Sequence, residues 1–207
     1  YMDTVAMARH GIDFAVAALG TATTDEHLNR LFRLTDNAYF AFDGDRAGKK
    51  AAWRALENAL SHIREGRQVR FVFLPDGHDP DSFVNENGAD AFVKLMDAGM
   101  PLSEFLIREL STQVDMDSID GRAKLAEMAR PLVSKIPTGI YRELLTEGLA
   151  AAVGLTGQKL EMMMTADQKR NNSSSMTGTN RVRVRQQLSA SGGPSVVRRA
   201  ITLILNH

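Results

Sequence analysis

Three short apolar runs constrain this chain more than any other feature: Phe14–Leu19 (FAVAAL), Ala38–Phe42 (AYFAF) and Val69–Leu74 (VRFVFL). Each is too short for a good helix, and each ends in Gly, Asp or Pro. Two are nearly continuous rather than alternating, which is how strands covered on both faces read. Helical patterns separate them. Asp3–His10 closes on Gly11, Thr24–Leu34 carries Leu28, Leu31 and Phe32, and Ala47–Ile63 aligns Ala52, Ala55, Leu56, Ala59, Leu60 and Ile63 in one stripe. Strand, helix, strand, helix, strand predicts an α/β fold, a parallel sheet with helical crossovers.

With 207 residues and 43% hydrophobic content, the chain can bury a core and has room for a second, smaller unit. It contains no cysteine, which excludes a disulfide scaffold, a thiolate zinc site and a cysteine nucleophile. Lys and Arg total 25 against 25 Asp and Glu, so the whole chain is not a strongly basic nucleic-acid binder, although local patches stay open. No apolar run approaches the roughly 18 residues of a membrane span, and no basic-then-apolar leader is visible. A cytoplasmic location is expected. The chain opens at Tyr1 without methionine and stops at His207 inside an apolar pattern, as a piece of a longer protein would.

After Pro75 the character changes. Residues 81–155 carry helical patterns opening at Pro101, at Asp120 and around Tyr141, and predict a small helical subdomain behind the sheet. Thr165–Gly193 is polar and rich in Ser, Asn and Gly, the composition of a linker. Its Arg181, Arg183 and Arg185 alternate with valines, either as a solvated linker or as a phosphate-touching stripe. After Pro194 the spacing of Val197, Ala200, Ile201 and Ile204 predicts a helix.

The acidic residues gather where strands hand over to helices. Asp43-Gly44-Asp45-Arg46 follows the second strand, Asp76-Gly77-His78-Asp79-Pro80-Asp81 follows the third, and Asp3 opens the first helix. In an open parallel sheet these positions share the carboxyl edge, where ligands bind. Two carboxylates about 4 Å apart repel by roughly 4 kcal/mol at an effective dielectric near 20. Protonation, separation in solvent or a bound cation relieves that repulsion. A set of hard oxygen donors selects Mg²⁺ or Mn²⁺ over zinc. Two such ions favour phosphoryl or nucleotidyl transfer. Asp-Gly is equally a turn dipeptide, and Asp before a helix is equally an N-cap. Placement after successive strands favours the metal reading without removing the other.

Tyr1-Met2-Asp3, the Leu19-Gly20-Thr21 turn, Phe42–Gly48 (FDGDRAG), the Ala52–Glu57 helix segment (AWRALE) and Leu74–Asp81 (LPDGHDPD) resemble the Toprim core of bacterial DnaG-type primases, from Tyr1 to about Leu155. The resemblance implies a Toprim-type parallel sheet flanked by helices and followed by a helical subdomain. It divides the chain into a Toprim core at 1–85, a helical subdomain at 86–155, a linker at 156–193 and the start of a helicase-binding helical domain at 194–207. It implies catalytic and metal-ligating roles for Asp43 and Asp45, with Asp79, Asp81 and Asp3 completing the metal cluster. Arg46, Gly20 and Thr21 become candidate phosphate or nucleotide contacts, Arg46 being equally a surface charge at a helix start.

The implied reaction is template-directed joining of ribonucleoside triphosphates into short RNA primers on single-stranded DNA, with Mg²⁺ or Mn²⁺. The implied partner is a replicative hexameric helicase of the DnaB type. Family members carry a Glu-Gly before the Tyr-Met-Asp, a zinc-binding module and a basic template track lying largely upstream. The Glu-Gly and the zinc-binding module are not in this sequence, and it supplies little of a basic track, so weak metal binding and no primer synthesis are expected of residues 1–207 alone. Two other readings stay open: another Toprim enzyme, such as a topoisomerase or nuclease, and a non-catalytic scaffold whose acidic edge holds a partner.

Overall fold

The computed structural model describes residues 2–18, 23–162 and 199–203. The apolar runs form strands as expected: β1 (Ala15–Ala17), β2 (Asn37–Phe42) and β3 (Gln68–Phe73). Between them lie α1 (Met2–Arg9), α2 (Asp25–Leu31) and α3 (Arg46–Ala59), the first of these preceding β1. After β3 come α4 (Pro80–Asn87), α5 (Ala89–Asp97), the two-residue β4 (Met100–Pro101), α6 (Leu102–Ser111), α7 (Ile119–Lys135) and α8 (Ile140–Val153). A fifth strand, β5 (Arg199–Leu203), completes the sheet.

The strand order is β1-β5-β2-β3-β4. All pairings are parallel except β3 with β4. β4 adds an antiparallel edge that the expectation of a parallel sheet did not contain. β5 corrects a second expectation, since these residues were read as helix. A five-residue stretch with Ala200, Ile201 and Leu203 as its apolar members satisfies either periodicity, and the β-branched Ile201 and Thr202 favour the extended form. Between β1 and β2 it finds partners on both edges, pairing Ile201 with both Ala15 and Tyr39. The expected linker at 165–193, with its three arginines, lies outside the described residues.

Both faces of the sheet are covered, which explains the unbroken apolar strands. On one face Phe40, Phe42 and Phe71 pack with Leu28 of α2, Ala52 and Leu56 of α3, and the helices α6–α8. On the other, Tyr39, Ala41, Val72 and Leu74 pack with Met7 of α1, Phe83 of α4 and Phe92 of α5. The β2–β3 register sets Phe40 against Phe71 and Phe42 against Phe73. Their rings form a ladder, with centroids 5.6 Å apart for Phe40–Phe71 and 6.2 Å for Phe42–Phe73. Phe105 of α6 closes it at 4.7 Å from Phe71 and 5.5 Å from Phe73. The helical subdomain is thereby tied to the strands that carry the acidic edge. Among the described residues no helix is long and apolar enough to cross a membrane.

Candidate metal centre

The aromatic ladder ends one residue before Asp43. Beyond β2 the chain must turn sharply into α3 while passing the exit of β3, where the Leu74 N–H donates to the Phe42 carbonyl at 2.9 Å. Two glycines make this possible. A Cβ on Gly44 would overlap the Leu74 carbonyl oxygen, and one on Gly48 would overlap the Asp43 carbonyl oxygen. Gly48 is also buried, so α3 can approach the Asp43 backbone only without a side chain there.

Gly48→Ala is therefore expected to destabilise the fold. Overpacking of about 1–3 kcal/mol exceeds the helix-propensity gain of up to ~1 kcal/mol. Urea unfolding measures this, and an unchanged or higher midpoint would contradict the close packing of α3 on Asp43.

The turn-and-cap reading of the aspartates holds for two of them. The Asp45 Oδ1 accepts the Gly48 N–H at 2.7 Å and caps α3. The Asp79 Oδ1 accepts the Ser82 N–H at 2.7 Å and caps α4 within a capping box. Lys49 makes no ion pair with Asp45; its backbone N–H donates to the Asp45 carbonyl within the helix. Asp81 accepts from the Asn85 Nδ2 at 2.6 Å. Each of these carboxylates retains a second oxygen.

Asp43 and Asp3 differ. Asp3 lies in the first turn of α1 and is only 8% exposed, while Asp43 is half-buried at the end of β2. No Lys, Arg or His side chain among the described residues forms an ion pair with either. Burial, then the charges of Asp45, Asp79 and Asp3, pushes the Asp43 carboxyl above its ordinary range. Burial, then Asp79, does the same to Asp3. Asp79 moves the other way, held down by hydrogen bonds from Ser82.

The fold thus brings Asp3, Asp43, Asp45, Asp79 and Asp81 into one electrostatic field. It does not draw them into a closed shell: among the described residues no three acidic or histidine side chains meet closely enough to form a metal cage. The donor set is all oxygen, Asp3 and Asp43 form no ion pair with a Lys, Arg or His side chain among the described residues, and the set fits a hard divalent cation. Arg46 is exposed at the start of α3, and Gly20 and Thr21 lie outside the described residues. Sequence reasoning missed His78, which stacks edge-on against Phe83 beside Asp79 and whose buried Nδ1 has no partner.

The linkage to pH follows from these shifts. In the fold Asp3 and Asp43 hold their protons more tightly than in the unfolded chain. Their ionisation therefore weakens the fold as pH rises through the raised values. The Asp79 contribution has the opposite sign, being present above the unfolded value near 3.8 and lost as pH falls through its lowered value. A cation bound to Asp43 and Asp3 competes with their protons. Mn²⁺ at about a hundred times its dissociation constant should stabilise the fold by ~2.7 kcal/mol near neutral pH. The rise in Tm should shrink as pH falls through the raised values of these two carboxyls. A rise as large in acid as at neutrality would remove these carboxylates from the site.

Comparison with known proteins agrees with this fold. Residues 1–84 match the family described as Toprim-like, and residues 103–158 match the DnaB-helicase binding domain of primase. The chain is 50% identical over 165 residues to the DNA primase of Escherichia coli (strain K12), covering 79% of this chain and 28% of that protein. A DNA primase domain from Pseudomonas aeruginosa superimposes with a TM-score of 0.76 at 46% identity, over 80% of this chain and 52% of that one. A DnaG primase catalytic domain bound to single-stranded DNA gives 0.73 at 50% identity, over 75% and 49%. The chain spans about a quarter of the length of the curated relatives it matches. With its Toprim-type sheet, its acidic carboxyl edge and these matches, the chain is similar over about three quarters of its length to the catalytic core of the bacterial DnaG-type DNA primases.

Proposed function

We propose that this chain supplies the metal-holding part of a primase, an enzyme that joins ribonucleoside triphosphates into short RNA primers on a single-stranded DNA template. One observation carries the reading: five aspartates share the carboxyl edge of the sheet, and among the described residues no Lys, Arg or His side chain forms an ion pair with Asp3 or Asp43. Asp43 and Asp45 would hold Mg²⁺ or Mn²⁺, with Asp79, Asp81 and Asp3 completing the acidic surround. Bound there, divalent cations supply the positive charge that stabilises an attacking 3′-oxygen and the oxygens of a triphosphate.

The chain's own residues do the positioning. Gly48 and the Asp45 cap lock Asp43 against the start of α3, and the Phe ladder fixes the strand end that carries it. With two carboxylate oxygens committed to caps, the ligands are held before any cation arrives, so little reorganisation is needed on binding. The match of α6–α8 to a helicase-binding domain supports a replicative helicase as partner for the helical subdomain. The similar primase bound to single-stranded DNA supports that polymer as template.

Primer synthesis tests the reading. The whole 207-residue chain would replace its counterpart in the Escherichia coli primase, and the chimera would be given single-stranded DNA, Mg²⁺ and ribonucleotides. Short RNA products are expected. Nicked or relaxed DNA in place of RNA would move the chain to another Toprim activity.

A further inference from the structure

The acidic edge continues into a basic groove. α3 begins at Arg46, immediately after the Asp45 cap, and its exposed face carries Arg46, Lys49, Lys50, Trp53 and Arg54. The spacing of three, four, seven and eight residues from Arg46 places all five on one side of the helix. They line an open groove of about 610 Å³ between α3 and the end of α6. Four cations face only two carboxylates there, Glu57 and Glu109. Among the described residues none of the four cations forms an ion pair.

Trp53 is half-buried, its indole resting against the aromatic and aliphatic core while part of it stays open in the groove. A solvated helix face has no need of a tryptophan. Cations interleaved with a ring fixed from behind are instead what a single strand requires: charges for phosphates and a platform for a base. The opposite side of α3 is the buried alanine and leucine stripe, so this face cannot serve the core.

We propose that this face of α3 is a binding track for single-stranded nucleic acid that leads to or from the acidic edge. Lys49, Lys50, Arg46 and Arg54 contact successive phosphates, and Trp53 stacks on one base. From Arg46 to Arg54 the helix rises about 12 Å at ~1.5 Å per residue, a span of three or four phosphates at ~3.4 Å in a stacked strand. The track is short and suits guidance near the site more than tight capture. Its connection to the acidic edge rests on the primase reading, whereas the binding itself does not.

Trp53 is the only tryptophan in the chain, so its fluorescence reports on this groove alone. The 207-residue chain would be titrated with oligo(dT) and with oligo(rU), at several salt concentrations and without divalent cations. Either polymer should quench Trp53 saturably. Quenching by DNA alone points to template and by RNA alone to product. Lys49→Gln/Lys50→Gln should lower the slope of log affinity against log salt by ~1.4. Binding of a labelled oligonucleotide to Trp53→Leu should weaken by about 5- to 150-fold, with Trp53→Phe retaining most of it.

Neither polymer quenching, or an unchanged salt slope in the double variant, overturns the track. Asp43→Asn should leave the quenching intact while removing Mn²⁺ binding. Mn²⁺ binding without quenching sinks the track and spares the primase reading. Quenching without Mn²⁺ binding does the reverse.

Discussion

Replacing Asp43 by Asn in a primase carrying this chain should cut primer synthesis by at least about a hundredfold, several kcal/mol of transition-state stabilisation. The same change should leave the cation-free fold as stable or more so. Asn keeps the shape of the side chain and removes a charge that burial and its neighbours disfavour. Asp79→Ala should behave differently, because its carboxylate caps α4 through Ser82. Losing such a cap costs about 0.5–2 kcal/mol in any state of the site. Thermal unfolding beside a priming assay separates the two roles. An Asp43→Asn protein that primes normally, or that unfolds well before the parent, would make Asp43 a structural residue.

The second large effect is expected far from any charge. Phe71 is 1% exposed and stacks against Phe40, Phe42 and Phe105 at once. Phe71→Ala should cost about 3–5 kcal/mol, from lost transfer energy and the cavity left between sheet and α6. That is a large part of the 5–15 kcal/mol that holds a typical domain together. Mn²⁺ affinity should fall with it, since the ladder fixes the end of β2 and so Asp43. Denaturant unfolding with a Mn²⁺ titration reads both. A loss below ~1 kcal/mol would mean that the helical subdomain does not brace the site.

Much of this was legible in the sequence for identifiable reasons. β2 and β3 announced themselves because strands buried on both faces leave no polar register to confuse the reading. The stripe of α3 was equally plain. Sequence alone did not divide 80–97 into two helices, because the break rests on Gly88 at a φ of 82°. The helix expected after Pro194 became β5 because a five-residue segment is too short for periodicity to decide between the two forms, and partners on both edges decided instead.

At the site, the two competing readings of Asp45 and Asp79 proved compatible. Each spends one oxygen on a helix cap and keeps another. Their shared edge with Asp3 was legible from the strand order, whereas the burial that does most to raise Asp43 depends on how α3 packs. The contact of Phe105 with Phe71 was beyond reach, since it depends on how α6 folds back over β3. The basic face of α3 was visible at helical spacing but was masked by a net charge of zero.

The central claim is that the carboxyl edge of this sheet holds a divalent cation through Asp43. Titrating Mn²⁺ into the 207-residue chain and following the free-ion signal by electron paramagnetic resonance tests it most directly. Saturable loss of that signal is predicted for the parent chain, with the signal restored in Asp43→Asn and reduced binding in Asp45→Asn. A parent chain that leaves all Mn²⁺ free, or an Asp43→Asn chain that binds as well as the parent, would contradict it.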